Sequence, residues 1–142
     1  MHPTHNINRF LSAQESIYET ALKELQKGRK ESHWMWYIFP QIAGLGRSEI
    51  SKYYAIKDIN EAKAYLDHSV LRKRFDECLN AVLSCNTSNP VRIFGEIDSL
   101  KFHSSLTLFL RANPDNELVL DALAKFYGST DFATENILEN QH

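Results

Sequence analysis

Apolar side chains recur along this chain at steps of three and four. From Ile7 they fall at Phe10, Leu11, Ile17, Tyr18, Ala21, Leu22 and Leu25, the spacing that lines one face of an α-helix. Gly28 ends the run, and Lys23 and Lys27 stand near its close, where cations suit the helix dipole. A second start is written in "DINE", where Asp58 can cap and Glu61 follows three residues later. Ile59, Ala62, Tyr65 and Leu66 take one side of that helix. Ser69 is placed to cap the next, whose stripe is Leu71, Phe75, Cys78, Leu79, Val82 and Leu83. The polar "CNTSNP" then reads as a connector.

Beyond it the chain divides at Gly95, with a short turn first and then a helix over 98–111 that places Leu100, Leu106, Phe109 and Leu110 inward. "NPDN" breaks that helix. Asn116 can cap another, with Leu118, Val119, Ala122, Leu123 and Phe126 inward and Gly128 at its end. A last, weaker helix covers 132–138. The stretch "HWMWYIF" has the aromatic and branched content of a strand, but it is short and has no second strand to pair with. Ser32 can cap a two-turn helix there, ending before Pro40 because the residue before a proline avoids the helical region. The prediction is an all-α fold: one domain over 1–142, a compact bundle of about six to eight short and medium helices, with a flexible tail at 1–6 and a frayed end at 139–142.

Composition narrows the function classes. A chain of 142 residues makes one domain and buries about two-thirds of its unfolded surface. A net charge of −2 argues against general nucleic-acid binding, which shows a strongly basic balance. Cys78 and Cys85 are spaced as no zinc signature is, and two thiols make no disulfide framework. "MHPTHNINRF" lacks the apolar stretch of a signal peptide, and no apolar run approaches the length of a membrane span. The expected location is the cytoplasm, with no membrane partner, no metal and no cofactor.

Three groups of residues can carry chemistry. Around the aromatic stretch stand Arg29, Lys30, Gln41, Gly44, Gly46, Arg47 and Ser48. The two glycines let backbone approach a ligand closely, Arg47 can grip a carboxylate or phosphate, and Ser48 can cap a helix through "SEISKYYAI". A glycine-bearing loop with solvated charges fits the same residues, and neither phosphate-loop nor dinucleotide spacing is present. The second group is the rings. On a helix His33, Trp36 and Tyr37 share a face and Trp34 points elsewhere, as core or as a stacking platform for a planar ligand. The third is "GEIDSLKFHSS", in which Asp98, Lys101 and Ser105 follow at helical steps beside Ser104. Together they could bind or hydrolyse a polar substrate, or Asp98 could simply cap its helix.

With these residues in view, "GRKESHWMWYIFPQIAGLGRS", "YAI", "AKAYLDHSVLRKR" and "KFHSSLTLF" resemble the family catalogued as domain of unknown function 1810, over nearly the whole chain. The resemblance implies an all-α fold. By position it carries over Ser32, His33, Trp34, Trp36, Phe39, Pro40, Gln41, Gly44, Gly46, Arg47 and Ser48, then Asp98, Lys101, Ser104, Ser105 and Thr107, many of them polar. Phe102 and Leu106 depart mildly from the family pattern, in packing more than chemistry. The label calpastatin borne by some relatives does not suit an apolar, periodic chain. A looser likeness, in residue types alone, is to the helical N-glycosidases associated with NAD and ADP-ribose.

The expected site lies where the 32–48 segment meets the helix after Asp98, and takes an anionic, nucleotide-like or phosphorylated metabolite. Arg47 and Lys101 hold the anion, Trp36 or Tyr37 stacks, and His33 and Gln41 hydrogen-bond, with Ser32, Gly44, Gly46, Ser48, Ser104 and Ser105 completing the walls. If a reaction occurs, it is hydrolysis of an N-glycosidic or ester bond, with Asp98 activating water or stabilising developing positive charge and His33 protonating the leaving group. The alternative is a non-catalytic protein-interaction module with no small-molecule site.

Overall fold

Ten helices carry the described part of the chain, residues 6–141 of a computed structural model. They are α1 (Asn8–Glu15), α2 (Tyr18–Gln26), α3 (Met35–Ile38), α4 (Glu49–Tyr54), α5 (Ile59–Asp67), α6 (Ser69–Leu83), α7 (Pro90–Phe94), α8 (Glu96–Ala112), α9 (Glu117–Phe126) and α10 (Phe132–Glu139). No strand is present among the described residues; an isolated parallel bridge joins Ile42 to Ile56. The all-α expectation is met. The expected tail at 1–6 falls outside the described residues except for Asn6, as do His2, His5 and, at the far end, His142.

The helices outnumber the expected six to eight because the first run is two elements and the short turn before Gly95 is itself a helix, α7. α1 packs on α3 while α2 packs on α6, so the chain turns at residues 16 and 17 to serve two partners. Gln14, buried at the end of α1, donates to Tyr37 O and to the Tyr65 hydroxyl. Tyr18, at the start of α2, donates to Glu77 of α6. Capping follows the sequence at Ser48, Asp58 and Asn116, whose side chains accept from Ser51 N, Glu61 N and Val119 N. At α6 the cap is His68, not Ser69, because Nδ1 of the imidazole faces Val70 N and Leu71 N. α7 is the short turn expected before Gly95, capped by Asn89.

The long helix α8 is the centre, packed by α3, α5, α7, α9 and α10. Around it the rings interlock: Phe39 lies edge-on to Phe102 at 4.8 Å and Phe75 meets Phe109 at 4.9 Å. These rings are fully buried and join one continuous core with Trp34, Tyr65 and Phe10, where edge-to-face geometry adds to burial. α8 begins at Glu96, with Gly95 as its N-cap, so Asp98 lies inside the first turn and is not the cap. Leu100, expected inward, is 69% exposed. The core takes α8 only from Phe102 onward.

Candidate functional site

The approach to α3 is fixed by one carboxylate. Glu24, buried at the end of α2, accepts from Glu31 N, Ser32 N, Ser32 Oγ and Trp34 Nε1, all within 2.9 Å. Burial pushes its carboxyl up, but the four donors outweigh that and carry it down to about 2. Ser32 is therefore committed to Glu24, neither capping α3 nor facing a ligand, and Trp34 is the core ring. Next to it Lys30, whose side chain is almost wholly buried, places its ammonium 2.5 Å from Ser32 O, 2.8 Å from Asp98 Oδ2 and 5.1 Å from the centre of the Trp34 ring.

Asp98 is shared. Its other oxygen lies 3.7 Å from the Lys101 ammonium, and that ammonium stands 5.1 Å from the centre of the Trp36 ring. The chain of groups Lys30, Asp98, Lys101 and Trp36 thus ties the segment before α3 to the first turns of α8. From α3 the chain passes Pro40 into a loop pinned to the segment after α4. Ala43 N donates to Ile56 O and Ile56 N donates to Gln41 O, both at 2.7 Å.

Two cavities flank this loop. The larger, about 330 Å³, is lined by Gln41, Leu45, Gly46, Ile97, Leu100, Lys101, Ser104, Asp131 and Ala133. The smaller, about 90 Å³, lies between the loop and α4, with Trp36, Ser51, Lys52 and Tyr54 in its wall. Gln41 and Gly46 belong to both. Gly44 lines the smaller one with a φ of +108°, a backbone setting that side-chain-bearing residues rarely adopt. At Gly46 a Cβ would stand 2.5 Å from Ser51 Oγ and 2.7 Å from Ser51 Cβ, so the loop approaches α4 as closely as a bare backbone allows.

Of the residues the sequence singled out, Trp36, Gln41, Gly44, Gly46, Lys101 and Ser104 surround these two cavities. Ser104 is itself buried, sharing a hydrogen bond of 2.7 Å with Thr134. The others are placed differently. Ser105 is fully buried and reaches neither cavity, because its turn of α8 is enclosed by core. Tyr37 packs edge-on to Tyr54 and donates to His33 O. Ser48 is spent on its cap, Arg47 is exposed on the loop, and neither lines a cavity. His33 precedes α3, exposed, and does not share a helical face with Trp36. Neither His33 nor Asp98 lines either cavity. Among the described residues no group of three or more His, Cys, Asp or Glu is placed to hold a metal ion, and no helix is long and apolar enough to cross a membrane.

The sequence profile of the family described as "Protein of unknown function (DUF1810)" matches residues 4–138. The chain belongs to the DUF1810 family. Its fold is similar to the crystal structure of the conserved hypothetical protein Rv1873 from Mycobacterium tuberculosis, with 41% identity and a TM-score of 0.93 over 95% of this chain and 97% of that one. The comparison with curated proteins gives no match. Neither description names an activity, so function in this DUF1810 protein is argued from its own geometry.

Sequence reasoning missed Glu24, Lys52, Ile97 and Asp131, and left Lys30 without a role. Lys52 follows the glycine loop closely enough to have been found. Asp131 carried a usable signal, since an Asp ahead of the last apolar run is a cap, and its carboxylate accepts from Thr134 N and Oγ1. Glu24 and the pairing of Lys30 with Asp98 carried none, because those partners come from chain reversals that periodicity does not record.

Proposed function

We infer that this protein binds a small anionic, ring-bearing metabolite of nucleotide-like kind in the groove between the 40–48 loop and α8. The observation that carries the reading is the company Lys101 keeps. Its ammonium stands over Trp36, in a groove whose walls include Gln41 and the side chains of Ile97 and Leu100, left 71% and 69% exposed. Apolar groups so exposed add little to folding, and they favour an occupant that covers them. Asp98 is balanced by the nearer Lys30, so the cluster of two ammonium groups and one carboxylate keeps one net positive charge to offer a phosphate or carboxylate. A volume of about 330 Å³ suits a small metabolite.

The reading is of binding, not turnover. Asp98 is already paired with the Lys30 ammonium at 2.8 Å and lies 3.7 Å from that of Lys101, and His33 is exposed before α3. Their placement gives no support to hydrolysis of an N-glycosidic or ester bond by this pair. A second reading, a protein-interaction module, draws on the same surface, since Ile97 and Leu100 are both strongly exposed apolar side chains and both line this groove.

Thermal shift against nucleotides, NAD derivatives, ADP-ribose and sugar phosphates tests the first reading. A ligand at a hundred times its Kd adds about 2.7 kcal/mol, which is several degrees in a domain of this size. Lys101→Ala should leave the unliganded Tm nearly unchanged and abolish the shift. A hit that survives Lys101→Ala places the ligand elsewhere, and a panel with no shift leaves the interaction module as the reading.

A further inference from the structure

We propose that the two cavities are compartments of one site and that its occupant is a two-part molecule: a flat or apolar body in the larger compartment, and a compact phosphate group in the smaller. This rests on the metabolite reading above and extends it to the shape and charge of the ligand.

The shared wall carries the argument. Gln41 and Gly46 line both cavities, so the two spaces border on the same two residues. The walls differ in character on either side. The larger compartment offers Leu45, Ile97, Leu100 and Ala133, apolar surface that suits a planar or aliphatic body. The smaller holds about 90 Å³, space for only a few heavy atoms, and its wall brings Lys52, the Ser51 side chain and one side of Trp36. Lys52 is exposed, and Lys101 stands over Trp36 from the larger compartment. A compact anion in the smaller space therefore has one ammonium in its own wall and a second next to the ring that borders it. Asp131, in the larger compartment, is occupied with the start of α10 and leaves that end less welcoming to a second negative charge.

Gly46 acquires a function on this reading. A side chain there meets the Ser51 side chain at 2.5 Å, so one or the other must move, and Ser51 is in the wall of the smaller compartment. The absence of a Cβ leaves the Ser51 side chain its place in that wall.

Isothermal titration with adenosine 5′-monophosphate, adenosine and inorganic phosphate tests the proposal. The monophosphate should bind at least about tenfold more tightly than either part alone, a difference of about 1.4 kcal/mol. Lys52→Ala, on an exposed side chain, should remove that advantage and leave adenosine binding unaltered. Gly46→Ala should do the same, and Lys52→Ala keeps the test standing if the loop does not tolerate the added methyl. If adenosine binds as tightly as its monophosphate and both respond to Lys101→Ala, the metabolite reading holds and the two-compartment proposal is overturned. If none of the three binds, the two-compartment proposal is overturned and the wider thermal-shift panel decides the metabolite reading; if binding ignores Lys101→Ala, both fail.

Discussion

Glu24 gathers four donors on one buried carboxylate, and through them it sets where Ser32 and Trp34 stand. Its folded-state pKa lies at about 2 against an ordinary value of 4.5. A depressed acid stabilises the fold above its unfolded pKa and loses that contribution as pH falls through the folded value. The stabilisation, on the order of 3 kcal/mol at neutral pH, should therefore disappear between about pH 4.5 and pH 2. Glu24→Gln, which presents an amide to donors that want an anion, should cost about 2–3 kcal/mol at neutral pH. Urea unfolding of both proteins across that range should show the gap closing in acid. A gap independent of pH would mean that ionisation of Glu24 is not what holds the segment. Nothing in the sequence marks this residue: Glu24 and Trp34 are brought together by the reversal after Gly28, and helical spacing is silent about what a reversal brings together.

Between elements the same limit applies with larger consequences. The cap at Asp58 was legible because a cap is local, and Glu61, read there as half of a capping box, does more than that reading gives it. Its carboxylate accepts from Lys57 N, and its two oxygens take Arg9 Nη1 and Nη2 at 3.1 Å each. Arg9 also donates to Tyr53 O and Ala55 O, so one buried guanidinium joins α1, the end of α4 and the start of α5. A pairing across that much sequence leaves no periodic trace. Because both partners are buried, removing one strands a charge: Arg9→Ala should cost about 3–5 kcal/mol in urea unfolding. Arg9→Lys should recover only part of it, since an ammonium cannot span the two carboxylate oxygens and the two carbonyls together. A loss below about 1 kcal/mol for Arg9→Ala would mean the pair behaves as an exposed one. The break between α1 and α2 belongs here too: the apolar steps run through it, and only the choice of partner, α3 for one half and α6 for the other, divides them.

At the scale of the whole molecule the all-α class was readable because most helices show one face to the core, but the middle of α8 is buried on every side. From Ser104 to Phe109 every residue is buried, polar and apolar alike. A helix surrounded on all sides has no stripe to read. Assigning Leu100 to the core extended the enclosed part of α8 one turn too far, onto the turn that protrudes beside the 40–48 loop. That turn should be nearly dispensable for folding while the middle is not. Ile97→Ser with Leu100→Ser should change unfolding free energy by no more than about 0.5 kcal/mol per site. Leu106→Ser should cost at least the roughly 2–5 kcal/mol expected for emptying a buried leucine position. The double variant should at the same time weaken whatever the groove binds, which separates a wall kept for an occupant from one kept for the fold. If it instead destabilises the protein as much as Leu106→Ser does, the protruding turn is covered in solution. Sedimentation at two protein concentrations would then show whether a second copy of the chain is the cover.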